Sequence, residues 1–248
     1  MKQFIQNSVA NTLGQPVGQP LPNWSPVKRP DRVTLQGQTC RLVPLVAQAH
    51  ARELYDANAQ DETGADWTYS GVGPFKSFEE YQSYCEACER SEDPLFFAIL
   101  DEATGKAVGS ATLMRIDPAN GAIEVGTIKY SPLLQRTTAA TEAMYLMMKY
   151  AFDLGYRRYE WKCDSHNEPS RRAAERLGFQ FEGLFRQAVV YKGRNRDTTW
   201  FSILDSEWPA IRSAMEAWLS PDNFTADGRQ RKPLGELIAI AKNGGSAT

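Results

Sequence analysis

Two stretches of the chain combine a turn with side chains able to hold an anion or pass a proton. The first reads Ile128-Lys129-Tyr130-Ser131-Pro132-Leu133-Leu134-Gln135-Arg136-Thr137-Thr138-Ala139-Ala140, and the second Asp164-Ser165-His166-Asn167-Glu168-Pro169-Ser170. Each leaves a strand-like run and enters a helix-like one, near 131–138 and 164–169. The first N–H groups of a helix have no acceptor within it, and the helix dipole adds partial positive charge there. Two such ends at one edge of a sheet are where an anionic cofactor should lie. Taken alone, Thr138, Asn167 and Ser170 are also ordinary helix-capping residue types.

Other constellations carry less. Cys85-x-x-Cys88 lies inside an expected helix with no second cysteine pair, and His50 and His166 do not complete a ligand set, so no metal site is expected. Cys40 and Cys163 add no disulfide framework, and the thiols read as reduced. Lys192-Gly193-Arg194-Asn195-Arg196 is a basic turn that could meet an acidic substrate or simply be solvated. Neither a Gly-x-Ser-x-Gly elbow nor a phosphate loop ending in Gly-Lys-Ser/Thr is present, which lowers hydrolase and nucleotide-hydrolysing readings.

The elements that must position these residues follow from periodicity. Strand 40–45 leads to helices 46–59 and 77–90, separated by an aromatic, glycine-rich loop with Trp67, Tyr69 and Phe75. Strands 95–100, 107–116 and 122–130 follow, joined by turns at 101–106 and 117–121. Ala140, Met144, Met147, Met148 and Ala151 share one helical face that stops at Gly155. In the next strand Tyr159, Trp161 and Cys163 alternate with Arg158, Glu160, Lys162 and Asp164. A short helix at 169–177, strands 183–191 and 198–204 around a turn at 192–197, and a helix at 206–219 complete the order βααβββαβαββ. This is an α/β fold, a mixed and mostly antiparallel sheet with helices on both faces.

Residues 1–30, rich in Gln, Asn and Pro, read as an extended arm whose Trp24 should dock; 31–220 read as one domain, and 221–248 as a tail that looks frayed from 226 on. With 28 basic against 30 acidic side chains, net charge is -2, so no global field favours nucleic acid. No apolar stretch is long enough for a bilayer and the N-terminus lacks a signal-like apolar region, so a cytoplasmic protein without a membrane partner is expected.

The two quoted segments, the second continued by Leu177-Gly178-Phe179 and Phe181-Glu182-Gly183, resemble in order the acetyl-CoA loop and the Asn-x-x-Ser…Leu-Gly-Phe…Glu-Gly stretch of GNAT N-acetyltransferases of the RimJ/RimL-like branch. The resemblance covers roughly 33–207. It implies an acyltransferase that moves an acetyl group from acetyl-CoA to an amine, a protein N-terminus or a small molecule, by direct attack on the thioester. In its terms the cofactor lies along Ile128, Lys129 and Tyr130, on Gln135, Arg136, Thr137, Thr138, Ala139 and Ala140, and against Asn167 and Ser170. Backbone N–H groups of the bulged strand would polarise the carbonyl, Asn167 would hold the pantetheine arm, and Ser170 would give a proton to the leaving thiolate. Thr138 stands where the family usually has glycine.

Ribosomal-protein members carry a glutamate where this chain has Val189, so that base is missing and Glu124 is the candidate to replace it. Trp67, Tyr69 and Phe75 would line the acceptor pocket. Neutralising a lysine amine at pH 7 costs roughly 4–5 kcal/mol against about 1.4 for an α-amine, so a weak base suits a low-pKa acceptor. Left open are a GNAT fold that only binds acyl-CoA and a partner, a detoxification enzyme, succinyl-CoA as donor, and a homodimer.

Overall fold

The computed structural model describes residues 8–244. Ten strands and six α-helices are present among them: β1 (Val9–Ala10), β2 (Pro16–Val17), β3 (Leu35–Gln36), β4 (Cys40–Pro44), α1 (Ala47–Asn58), α2 (Phe78–Arg90), β5 (Leu95–Asp101), β6 (Ala107–Asp117), β7 (Ala122–Tyr130), α3 (Thr138–Asp153), β8 (Arg158–Asp164), α4 (Glu168–Arg176), β9 (Gln180–Tyr191), β10 (Arg194–Leu204), α5 (Trp208–Leu219) and α6 (Leu234–Gly244). β1 and β2 form a small hairpin; the rest make one sheet in the order β3-β4-β5-β6-β7-β8-β10-β9. Within that sheet only β7 and β8 run parallel.

Side-chain alternation divides the core in two. On β5, Leu95, Phe97 and Ile99 face the layer of α3, α4, α5 and α6, while Phe96, Ala98 and Leu100 face α1 and α2. A strand buried on both sides needs apolar residues at every position, which is why 95–100 reads as an unbroken apolar run. α1 and α2 lie over β5 and β6. Beyond β6 that face of the sheet is charged, carrying Glu124, Glu160 and Lys162.

Side chains fix the helix starts. Ser77 accepts from Glu80 N at 3.3 Å and Glu80 Oε2 accepts from Lys76 N at 2.9 Å, a reciprocal cap on α2. Glu89 of α2 accepts Ala47 N at 2.8 Å, so α1 is capped by its neighbour. Glu142 of α3 is buried and accepts the N–H groups of Gln38, Thr39 and Cys40 at 2.7–3.0 Å, pinning the β3–β4 turn to the helix. A Cβ on Gly37 would lie 2.6 Å from the Glu142 carboxyl carbon, so glycine is required there.

Trp24 docks on the β6–β7 turn, as its size demands: its Nε1 donates to Ala119 O at 2.9 Å and its ring fills the space beside Gly121. The frayed reading of the C-terminal residues needs correction. Leu234, Leu237, Ile238 and Ala241 recur at helical spacing, and α6 buries Leu234 and Ile238 against α5; only 245–248 lie outside the described residues. The 192–197 turn is also shorter than expected. β10 begins at Arg194, since Arg194, Asn195 and Arg196 pair with Tyr191, Val190 and Val189. Polar residues on an exposed hairpin lack the apolar alternation that marks a buried strand.

Candidate active site

The parallel pairing of β7 and β8 is short. It runs from Ala122 opposite Arg158 to Val125 opposite Trp161, and then stops although both strands continue. At Thr127 the backbone takes φ +45°, and the register against β6 shifts, so one extra stretch of β7 is accommodated. The bulge sets Lys129 on the same face as Glu124, while Ile128 and Tyr130 pack on the opposite core. Beyond Val125 the two strands splay into a cleft, with β7 backbone along one wall.

α3 and α4 both begin at the open end of this cleft. Thr137, not Thr138, caps α3: its Oγ1 accepts Ala140 N at 3.1 Å and donates to Leu134 O at 2.7 Å. Thr138 and Ala139 open the helix, where first-turn N–H groups point outward. The left-handed residue in this turn is Arg136, φ +62°, so backbone flexibility is demanded at the second residue before Thr138. Tyr130 Oη donates to Ala140 O at 3.0 Å, and Gln135 Nε2 donates to Tyr130 O at 3.1 Å and Asp66 Oδ2 at 2.7 Å. Gln135 thereby ties the turn to the 65–75 loop.

On the β8 side Asn167 caps α4, its Oδ1 accepting Ser170 N at 3.2 Å, which leaves its amide N–H groups free of acceptors among the described residues. Ser170 Oγ accepts from the indole Nε1 of Trp161 at 3.0 Å, so its own hydroxyl hydrogen can be donated elsewhere. Trp161 is also where the strand pairing ends. In the sequence Trp161 stands out only as part of the β8 alternation, since its contact with Ser170 depends on the packing of α4 against β8.

Glu124 is buried, with Oε2 2.9 Å from both Lys162 Nζ and Arg115 Nε. Lys162 Nζ also lies 2.6 Å from Glu160 and 3.6 Å from the Trp200 ring centroid. Burial holds the Glu124 carboxyl above its ordinary range against the pull of both cations. Lys162 went unremarked in the sequence, though its place in the Arg158/Glu160/Lys162/Asp164 alternation put it on the polar face. Val189 lies opposite Arg196 and is exposed.

The expected acceptor residues divide. Trp67 is buried, edge-on to Phe75 at 5.5 Å, and both belong to the α1–α2 core and line a cavity of about 240 Å³ at the C-terminal end of α1. The other side of Trp67 meets the cleft, with Lys129 Nζ 4.1 Å from its ring centroid and Lys192 Nζ donating to its carbonyl at 2.8 Å. Tyr69 is half-buried near Tyr191, whose hydroxyl donates to Asp164 Oδ2 at 2.8 Å. The β9–β10 hairpin is thus fastened to the end of β8 and to the 65–75 loop.

Cys85 and Cys88 are buried in α2, and burial pushes their thiols up to about 12 and about 11, leaving little thiolate at neutral pH. His166 is exposed beside Asp164. Among the described residues no group of His, Cys, Asp and Glu has the grouping of a metal centre, and no helix is long and apolar enough to cross a membrane.

The cleft offers outward N–H groups at two helix starts, amide donors on Asn167 without an acceptor among the described residues, and β7 backbone unpaired on its β8 side beyond Val125, groups able to hold an anionic, extended ligand. Comparison with known proteins shows the family. An Acetyltransferase (GNAT) domain model matches residues 40–180, more than half the chain. A GCN5-related N-acetyltransferase structure from Brucella melitensis is 52% identical with TM-score 0.87, covering 88% of this chain and 100% of its own. The uncharacterized N-acetyltransferase p20 of Bacillus licheniformis is 34% identical over 117 residues, 45% of this chain and 63% of that protein. The chain therefore spans less than two thirds of p20. The Microcin C7 self immunity acetyltransferase MccE, solved in complex with acetyl-CoA and AMP, shares the fold at TM-score 0.60 and 22% identity, covering 68% of this chain and 93% of its own. Matched in sequence over its central half and in structure over most of its length, the chain belongs to the GNAT acetyltransferases.

Proposed function

We propose that this acetyltransferase moves an acetyl group from acetyl-CoA to a low-pKa amine, with Glu124 as proton acceptor and Ser170 as proton donor. The observation that carries the reading is the splay of β7 from β8 beyond Val125 and Trp161, with two helix starts at its open end. Acetyl-CoA supplies an activated thioester. The α3 and α4 starts, Asn167 and the β7 backbone hold it on the side of the sheet those helices occupy.

The amine must then arrive from the opposite face, between the 65–75 loop and the β9–β10 hairpin, where Glu124 lies. Its carboxylate, raised by burial, is a better match to an amine proton than an exposed glutamate, yet Lys162 and Arg115 limit its basicity. A base so restrained suits an α-amine better than a lysine side chain. Thiol release from acetyl-CoA with a panel of amines, read by mass spectrometry, tests this. Low-pKa amines should react faster, and Glu124→Gln should slow lysine-like acceptors more than α-amines. Equal losses for both classes in the folded variant would remove Glu124 from the role.

A further inference from the structure

The acceptor side of the cleft carries a cation the transfer step does not use. Lys129 stands on β7 on the same face as Glu124 because of the bulge at Thr127. Its Nζ is buried and makes no hydrogen bond among the described residues. The nearest carboxylate, Asp66, is 3.9 Å away and already accepts from Gln135 Nε2 at 2.7 Å. That separation is beyond hydrogen-bond reach, and a contact with the Trp67 ring face does not replace the hydration an ammonium gives up. Burial accordingly holds the Lys129 amine below its ordinary range.

A second ammonium is close. Lys192 Nζ, from the β9–β10 turn, uses one hydrogen on Trp67 O and keeps two for other acceptors. Lys129 and Lys192 therefore flank Trp67 where the acceptor enters. Lys162, by contrast, is matched by Glu124 and Glu160. The entrance thus offers one ammonium whose nearest carboxylate is at 3.9 Å and a second with hydrogens to spare, on the face of the sheet that carries the carboxylate that would receive the amine proton.

Resting on the amine-acceptor reading, we infer that the acceptor is an α-amine bearing a carboxylate a few bonds away, and that Lys129 binds that carboxylate while the amine faces Glu124. The chemistry is met by a peptide whose first residue is acidic or by a free amino-dicarboxylic acid. A carboxylate there would complete the hydrogen bonding of Lys129, and the two charges of the acceptor would meet opposite charges at both ends.

A tripeptide beginning with Asp, its counterpart beginning with Asn, and free aspartate distinguish the sources. The wild-type protein should prefer the Asp peptide to the Asn peptide by about tenfold in kcat/KM, mostly through KM, the size expected of one charge-assisted hydrogen bond. Lys129→Met should bring that ratio near one, and Lys129→Arg should restore part of it. Free aspartate as the faster substrate would assign the small-molecule source, and the Asp peptide the protein one. An Asn preference, or an unchanged ratio in folded Lys129→Met, overturns the inference. Calorimetric binding of the two peptides to the intact protein reads the same ratio without turnover. Charge-selective binding without thiol release would sink the transfer reading and keep this one.

Discussion

Ser170 sits in the first turn of a helix capped by Asn167 and keeps its hydroxyl hydrogen uncommitted among the described residues. Its backbone N–H is taken by Asn167, and its Oγ takes the Trp161 N–H, so the hydroxyl hydrogen is directed by exclusion. Ser170→Ala is expected to lower kcat about 10²-fold with little change in KM for acetyl-CoA, because general acid assistance acts on developing charge rather than on binding. Steady-state kinetics on both substrates check this, and unchanged turnover would leave Ser170 as no more than the acceptor of the Trp161 N–H. The charged face of β8 makes a second test. Burial works to raise the Glu160 carboxyl, but Lys162 and Arg158 outweigh it and hold it below the ordinary range. A depressed carboxylate stabilises the fold above the unfolded-state value of about 4.3, and that contribution is lost as pH falls through the folded value. The Tm gap between wild type and Glu160→Gln should therefore be present at pH 7 and close as pH falls below about 4.

The elements most legible in the sequence are those whose burial is uniform or strictly periodic. β5 lies between two helical layers and reads as an apolar run; α3 shows its Ala140/Met144/Met147/Ala151 face; β8 alternates cleanly. β3 and the β1–β2 hairpin are two-residue pairings whose positions are half-buried or exposed, so no pattern betrays them. The start of β10 is hidden in a polar turn for the same reason. In the candidate site, the starts of α3 and α4, with Asn167 and Ser170 in the latter, are legible because their spacing is local, whereas the Trp161–Ser170 and Lys129–Trp67 contacts depend on where separate elements land. Glu142 belongs with those long-range contacts. It gathers three backbone N–H groups more than a hundred residues away in sequence, and Glu142→Ala takes away their acceptor, two of them part-buried and that of Cys40 buried. The loss should be about 3 kcal/mol or more, lowering Tm by roughly 6–12 °C in thermal unfolding. A shift within about 1 °C would mean that water replaces the carboxylate.

Across the whole molecule, the sheet is two antiparallel blocks, β3-β4-β5-β6-β7 and β8-β10-β9, whose strands meet in the short parallel pairing and which α3, the Glu124–Lys162 ion pair and the Lys192–Trp67 hydrogen bond also link. Within each block most neighbours are close along the chain, β5 to β6 to β7 and β9 to β10, and can pair early. A parallel pair must wait until its crossover helix has formed and packed, since the entropy of closing that longer loop comes before any contact rewards it. The cleft is therefore the seam between two blocks, and topology predicts that it closes last. Its width is set by how far that seam zips, which ends at Val125 and Trp161. Anything that binds across it, touching β7 on one side and α4 on the other, acts as a rivet between the units, raising resistance to unfolding in proportion to the logarithm of its concentration over its dissociation constant.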